Sequence, residues 1–338
     1  MPTLTTPQPA SRIPHLVAVL LVCATFPLIW VGGLVTTYDA GMAVPDWPST
    51  YGYNLFLYPW QTWIYGPFDL FIEHGHRLLG AAVGLIAIGL VVAICRFDPR
   101  LWVRWLSAAA LALVIFQGVL GGVRVIENEV ALARLHGIVG PAFFGLCVAL
   151  AVVTSRLWKS TTKRPLHAGA SKLQRLAAIT TGLVFVQLIV GAHLRHLPVD
   201  LSPQAFRGFV FFHLILAAAL VVHVLLLVVR TVVRHRQLAS LLFPALALGG
   251  LIALQIGLGS ATWVANYSWP DWAKEMGLGV GHTIAAGSYA QAMIVTAHQA
   301  MGSLLLGIGV MLTLRSFRLL QSPAAQPVTA TTLKGVLA

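Results

Sequence analysis

Long apolar runs separated by short polar connections fill nearly the whole 338-residue chain. A helix needs roughly 20 apolar residues to cross a hydrocarbon core about 30 Å thick. Eight runs reach that length, at about 14–36, 69–95, 101–123, 131–155, 173–194, 208–229, 241–263 and 288–314. The pattern predicts an all-α polytopic membrane protein of eight transmembrane helices. The first run is read as a span and not as a cleaved leader, and the Pro-, Ala- and Thr-rich segment from about Gln321 reads as a disordered tail.

Charge then orients the helices. Sixteen of the 22 lysines and arginines fall in the segments holding Arg12, Arg96 to Arg104, Arg156 to Arg175, Arg230 to Arg236 and Arg315 to Lys334. Nine of the ten acids lie toward the opposite face, all but Asp98. The positive-inside rule places both termini in the cytoplasm of a multi-pass cell-membrane protein. With 58% hydrophobic and 9% charged residues, against roughly 25% charged in soluble domains, no stretch remains for a soluble catalytic domain. The net charge of +12 is spread over short loops and forms no nucleic-acid-binding surface. Cys23, Cys95 and Cys147 all lie in apolar runs, so no disulfide framework, CxxC metal site or CxxCH attachment site exists.

A helix pair recurs along the chain. Odd-numbered helices carry Trp30 before Gly32-Gly33, Gln117 before Gly121-Gly122, Gln187 before Gly191 and Gln255 before Gly259, while even-numbered helices carry His76, His136, His213 and His298 in their outer halves. This predicts two parallel four-helix repeats related by an axis along the membrane normal. The expected divisions are a cytoplasmic N-terminus at 1–13, a first half at 14–155, a cytoplasmic linker at 156–172, a second half at 173–315 and a disordered cytoplasmic tail at 316–338. Gly118/Gly122, Gly80/Gly84 and Gly137/Gly140 read as small-residue helix-packing surfaces.

One intramembrane histidine is as readily a structural hydrogen-bonding group as a ligand. Four at recurring positions point to metal binding, because two imidazoles on facing helices can bracket a porphyrin. The expected pairs are His76 with His136 and His213 with His298. Arg77, Arg134 and Arg207, cations on the side where few occur, could meet heme propionates or simply snorkel. His15, His167, His193, His196, His223, His235 and His282 lack the spacing and read as solvated or structural, with His74 unassigned.

The halves differ in one informative place. Glu73 shares a helical face with His76, whereas Val210 stands at the matching position before His213. The acid either serves proton transfer or product handling beside a heme, or pairs structurally with Arg77. The segment from Tyr38 through Phe68 holds ten aromatic residues and no lysine or arginine, which reads as an interfacial belt or as a lid over a large apolar ligand.

The run Gly33 to Pro48 with its Tyr38, Asp39, Gly41, Pro45, Asp46 and Trp47, the Glu73-His74-Gly75-His76-Arg77 segment, Gln117 with Gly121-Gly122, and His136, His213 and His298 together resemble the heme A synthase family over about 14–315. The resemblance implies an eight-helix, two-half oxidoreductase that oxidises the C8 methyl of heme O to the formyl group of heme A for terminal oxidases. It implies that His213 and His298 ligate heme b, and that Glu73, His76 and His136 form the heme O site. Implied partners are the enzyme supplying heme O, an unidentified electron donor, terminal oxidase assembly factors and a second copy of the chain. Some members carry a cysteine pair in outer loops, and neither Tyr38–Phe68 nor Leu197–Arg207 contains one. A two-heme electron carrier of cytochrome b type is the alternative, though it has no evident use for Glu73 in one half alone. A parallel-repeat transporter is disfavoured by the lack of paired midplane charges.

Overall fold

The computed structural model describes residues 11–161, 166–198 and 200–321. Eight long helices dominate it: α1 Ile13–Thr37, α2 Phe68–Phe97, α3 Leu101–Glu127, α4 Val130–Thr154, α5 Ala170–Arg195, α6 Pro203–His235, α7 Ala239–Tyr267 and α8 Tyr289–Leu319. All eight are long and apolar enough to cross a membrane, and the described residues contain no strand. The chain is an all-α multi-pass membrane protein.

Local chemistry sets the helix ends. Ser202 and Ser288 cap α6 and α8 by accepting from the backbone N–H groups of Ala205 and Gln291, each at 3.3 Å, and Pro203 opens α6 where its missing N–H costs nothing. Asn128, left-handed at φ 50°, ends α3. Caps and basic last turns lie beyond the hydropathy signal, so the helices outrun the apolar windows. The 33 residues of α6 span about 50 Å at 1.5 Å each.

Residues 316–319, expected in the tail, belong instead to α8, which continues through Leu319. Arg318 donates to the Trp158 carbonyl at 2.8 Å and 3.0 Å, and Arg315 to that of Ser240 at 3.1 Å, which fixes the last turn. Residues 322–338 lie outside the described residues, as do Lys163 and Arg164 of the linker. That linker also holds a short helix, Arg156–Ser160.

Packing closes two four-helix rings. Helix α1 packs on α2, α2 on α3, α3 on α4 and α4 back on α1, and the same sequence of neighbours joins α5, α6, α7 and α8. Each ring has its own core, around Leu21, Val83, Leu90, Phe143 and Leu150 in the first and Leu173, Val224, Leu241, Leu248 and Leu312 in the second. Between the rings, α8 meets α1 and α4, and α4 meets α5. Phe144, Val148 and Val152 fill this seam against Leu304, Met311 and Leu314. The approach is close because Gly307 carries no side chain, and a Cβ there would lie 2.8 Å from the Phe144 ring.

Asp98, the one acid on the basic side, staples the α2–α3 turn. Arg100 grips its carboxylate at 2.7 Å and 2.9 Å and also donates to the Val153 carbonyl at 2.9 Å, while Lys159 stands at 3.5 Å. Burial of Asp98 opposes ionisation, but the Arg100 hydrogen bonds and the Arg100 and Lys159 charges outweigh it and hold its pKa below the ordinary carboxylate value.

Candidate functional site

The four repeating histidines meet in two pairs. The rings of His76 (α2) and His136 (α4) have centroids 6.4 Å apart at 75°, and those of His213 (α6) and His298 (α8) stand 6.5 Å apart at 65°. Each imidazole rests on a glycine of the preceding odd-numbered helix. A Cβ added to Gly32, Gly121, Gly191 or Gly259 would lie 2.8, 3.1, 3.7 or 2.9 Å from Cε1 of His76, His136, His213 or His298. Four residues before three of these glycines stand Gln117, Gln187 and Gln255, whose amide nitrogens donate to the backbone carbonyls of His136, His213 and His298 at 2.7, 3.0 and 3.0 Å. The glycine spacing seen in the sequence is therefore a seat for an imidazole, with a glutamine fixing the helix that bears it.

These rings fit the axial positions of a heme. With metal–nitrogen bonds of about 2.0 Å and about 1.1 Å from nitrogen to ring centre, two imidazoles on one metal would have centroids about 6.2 Å apart. Two nitrogens are too few to hold a bare ion, and among the described residues no group of three or more His, Cys, Asp or Glu is close enough to add ligands. A porphyrin, were one bound, would supply the other ligands. His136 turns Nδ1 to the Gln117 carbonyl at 3.1 Å, which orients its other nitrogen toward the pair. Nδ1 of His76 and of His298 are buried without a hydrogen-bond partner.

Open space lies beside the first pair. Gly80 and Gly84 follow His76 at four and eight residues on the same helical face, and Gly137 adjoins His136. A Cβ at any of the three would meet nothing within 4 Å. These glycines, and Gly118, do not serve as the packing surfaces expected of them. Space lies beside them instead of a helix, whereas Gly122 is covered by the Trp47 indole and Gly140 lies 3.2 Å, Cβ to Nε2, from Gln117.

The first pair is roofed by the outer loop. Glu73, 3% exposed, accepts from the Val44 N–H at 2.8 Å and from Arg77 at 2.7 Å. Arg77 spends its four terminal N–H groups on Glu73 and on the carbonyls of Val44, Asp46 and Ser49, at 2.7 to 2.9 Å. This latch brings Trp47 onto Gly122, next to the His136 seat. It also corrects the reading of Arg77 as a propionate partner, because the loop carbonyls occupy it. His74, unassigned from sequence, anchors the same loop through Thr50 at 3.0 Å and edge contacts with Tyr58 and Trp63. Within the aromatic segment Trp47, Tyr58 and Trp63 pack against Gly122 and His74, while Phe56, Trp60 and Tyr65 are exposed.

Of the other expected cations, Arg134 donates to the His196 carbonyl at 3.0 Å, two residues before His136. Arg207 is exposed near the start of α6, and its side chain makes no hydrogen bond to other described residues. Two arginines missed from sequence lie deeper. Arg124 fills the space over Gly41 and acts electrostatically on both His76 and His136. Arg195 joins the rings, bonding Gln299 of α8, the Gly33 carbonyl at 2.9 Å and Thr37 at 2.5 Å on α1. The available signal was their place among six cations on the cation-poor side, of which only Arg77, Arg134 and Arg207 were singled out. His223 bonds its own helix at Ala219, His193 packs at a tilt against Phe209, and His15 bonds Ala151, as structural histidines do.

A family model described as cytochrome oxidase assembly protein (COX15-CtaA) matches residues 15–207. The chain is 25% identical over 231 residues to a protein of Alkalihalophilus pseudofirmus named heme A synthase, covering 63% of this chain and 75% of that protein. It is 24% identical over 218 residues to one of the same name from Hyphomonas neptunium, covering 52% of this chain and 56%, a little over half, of that relative.

Proposed function

The chain belongs to the COX15-CtaA family of cytochrome oxidase assembly proteins, and on that premise we propose that it is a heme A synthase, a membrane oxidoreductase converting the C8 methyl of heme O to a formyl group. The observation that carries this reading is the difference between two otherwise alike histidine pairs. The pair on α2 and α4 has bare glycines beside it, a buried carboxylate and a latched aromatic roof. The pair on α6 and α8 has Val210 in place of the acid, and Ala217, Val221 and Gln299 stand where the first half has Gly80, Gly84 and Gly137. An electron carrier would need both pairs but not this asymmetry.

In the proposed division, His213 and His298 hold heme b, and His76 and His136 hold heme O. Heme b, when bound, supplies one-electron transfer. The protein's part is positional. Trp47 and the loop latched by Glu73 and Arg77 exclude water, and the glycine seats fix both imidazoles. The Glu73 carboxylate is the acid near the first pair and is proposed to take up and pass on protons as the methyl loses four electrons to an external oxidant and gains one oxygen atom, through an alcohol and a gem-diol that loses water. Mass spectrometry of hemes extracted from cells with and without the protein tests the activity. Heme A should appear only where the protein is present, and heme O should accumulate where it is missing. No difference in either heme rejects the proposal.

Two further outcomes follow. Leucine at Gly80 fills the space on the His76 face, so Gly80→Leu should abolish heme O binding and heme A formation while leaving the second-half heme spectrum intact; retained heme O binding would show that this space is not the substrate's. The orientation proposed from charge places Lys159 in the cytoplasm. A reporter active only there should work when fused after Lys159 and be silent between Asp46 and Tyr65, and the reverse pattern would invert the topology.

A further inference from the structure

A groove of about 470 Å³ opens between α7 and α8 at the cation-rich end of the second ring. Ser240, Pro244 and Ala247 line it from one face of α7, and Ile308, Met311 and Arg315 from one face of α8. The lining changes character with depth. Arg315 stands four residues before the end of α8 and Ser240 second in α7, so both lie at the rim. Ala247 and Ile308 lie seven residues deeper, about 10 Å at 1.5 Å per residue. Every described lining residue other than Arg315 and Ser240 is apolar. The groove faces the hydrocarbon, since Phe243 on its α7 wall is 66% exposed on a helix long and apolar enough to cross a membrane.

The rim holds a cation with no partner of opposite charge. Arg315 donates to the Ser240 carbonyl at 3.1 Å, a neutral acceptor, and among the described residues it makes no ion pair. No acid on this face is free to supply one, because Asp98 is the single acid there and Arg100 and Lys159 hold it. A guanidinium at the membrane rim above an apolar trough matches a molecule with a phosphate above an acyl chain. We propose that this groove binds an anionic phospholipid, its phosphate on Arg315 and the Ser240 hydroxyl and one acyl chain along Pro244, Ala247, Ile308 and Met311. Met311 also belongs to the seam filled by Phe144, Val148 and Val152. The lipid therefore braces α8 where that helix joins the two rings.

The test uses purified full-length protein in detergent, with phosphatidylglycerol and phosphatidylcholine of identical chains titrated in turn and the adducts measured by native mass spectrometry. The wild type should hold one phosphatidylglycerol roughly tenfold more tightly than phosphatidylcholine. Arg315→Gln should bring that ratio toward one. Arg234→Gln, at an exposed arginine in the last turn of α6 outside the groove, should leave it unchanged. Ala247→Trp fills the deep end and should weaken both lipids alike. Equal binding of the two lipids by the wild type overturns the proposal. An equal loss of preference in Arg234→Gln and Arg315→Gln also overturns it and assigns the preference to diffuse surface charge. Glycerol 1-phosphate, a phosphate without chains, should not displace the lipid at equal concentration; displacement makes this a free-anion site and ends the lipid reading. Wild-type dimers that Ala247→Trp separates would give the groove to a second copy of the chain, again against the proposal. The wild-type comparison needs no variant, and Ala247→Trp remains decisive if Arg315→Gln does not fold.

Discussion

His213→Ala and His298→Ala are each expected to abolish the low-spin heme spectrum of the purified protein. Each removes one of two imidazoles whose centroids stand 6.5 Å apart, and a heme left with one axial histidine becomes high-spin or is lost. The loss should be complete because the remaining ring cannot cross to a second axial position. Gln187 and Gln255 hold the backbone at His213 and His298, and Gly191 and Gly259 leave each ring one seat. Removing the support alone should do less: Gln255→Leu keeps the ligand and should weaken heme retention by about 10- to 100-fold. His223→Ala is the control, since that ring bonds Ala219 on its own helix at 2.8 Å and its removal should leave the spectrum unchanged. An unchanged spectrum in both ligand variants refutes the assignment.

Glu73→Gln should lower heme A formation per mole of folded protein by on the order of 10²-fold, the usual contribution of a positioned acid, with a hydroxylated intermediate accumulating and second-half heme b retained. The amide oxygen can still accept from Val44, so the loop keeps that bond. The amide nitrogen facing Arg77 cannot accept, and the ion pair is lost. Arg77→Gln separates the two consequences, for it loosens the latch on Val44, Asp46 and Ser49 but leaves the carboxylate in place. If Arg77→Gln costs as much heme A as Glu73→Gln, the carboxylate acts only as a latch. Near wild-type production by Glu73→Gln would end the catalytic reading outright.

Hydropathy made the eight helices legible because each span is long and nearly free of charge, and the histidine pairs were legible because Gln-x-x-x-Gly and a single histidine recur at matched depth. The helix ends were less so, since Ser202, Ser288 and Asn128 act through backbone bonds outside the apolar windows. The glycines show the limit of composition: Gly80 and Gly122 look alike in sequence, yet one borders open space and the other carries Trp47. Contacts between distant segments left no local trace. Nothing in the neighbourhood of Val44 announces that its N–H meets Glu73, and Arg195 reads as one more outer cation until α1 and α8 are brought beside it.

The seam also bears on the order of assembly during synthesis. The first ring is closed by contacts among α1 to α4 alone, so it can form while the second half is still on the ribosome. The second ring closes through α8, and α8 also makes the contacts to α1 and α4 that join the rings. One late helix therefore completes both. A chain ended before Tyr289 would keep the first imidazole pair and lose both His298 and Gln299, leaving Arg195 with acceptors on α1 alone. Quality control in the membrane would then meet a seven-helix chain with a finished first ring and a seam of Phe144, Val148 and Val152 stripped of its α8 partners.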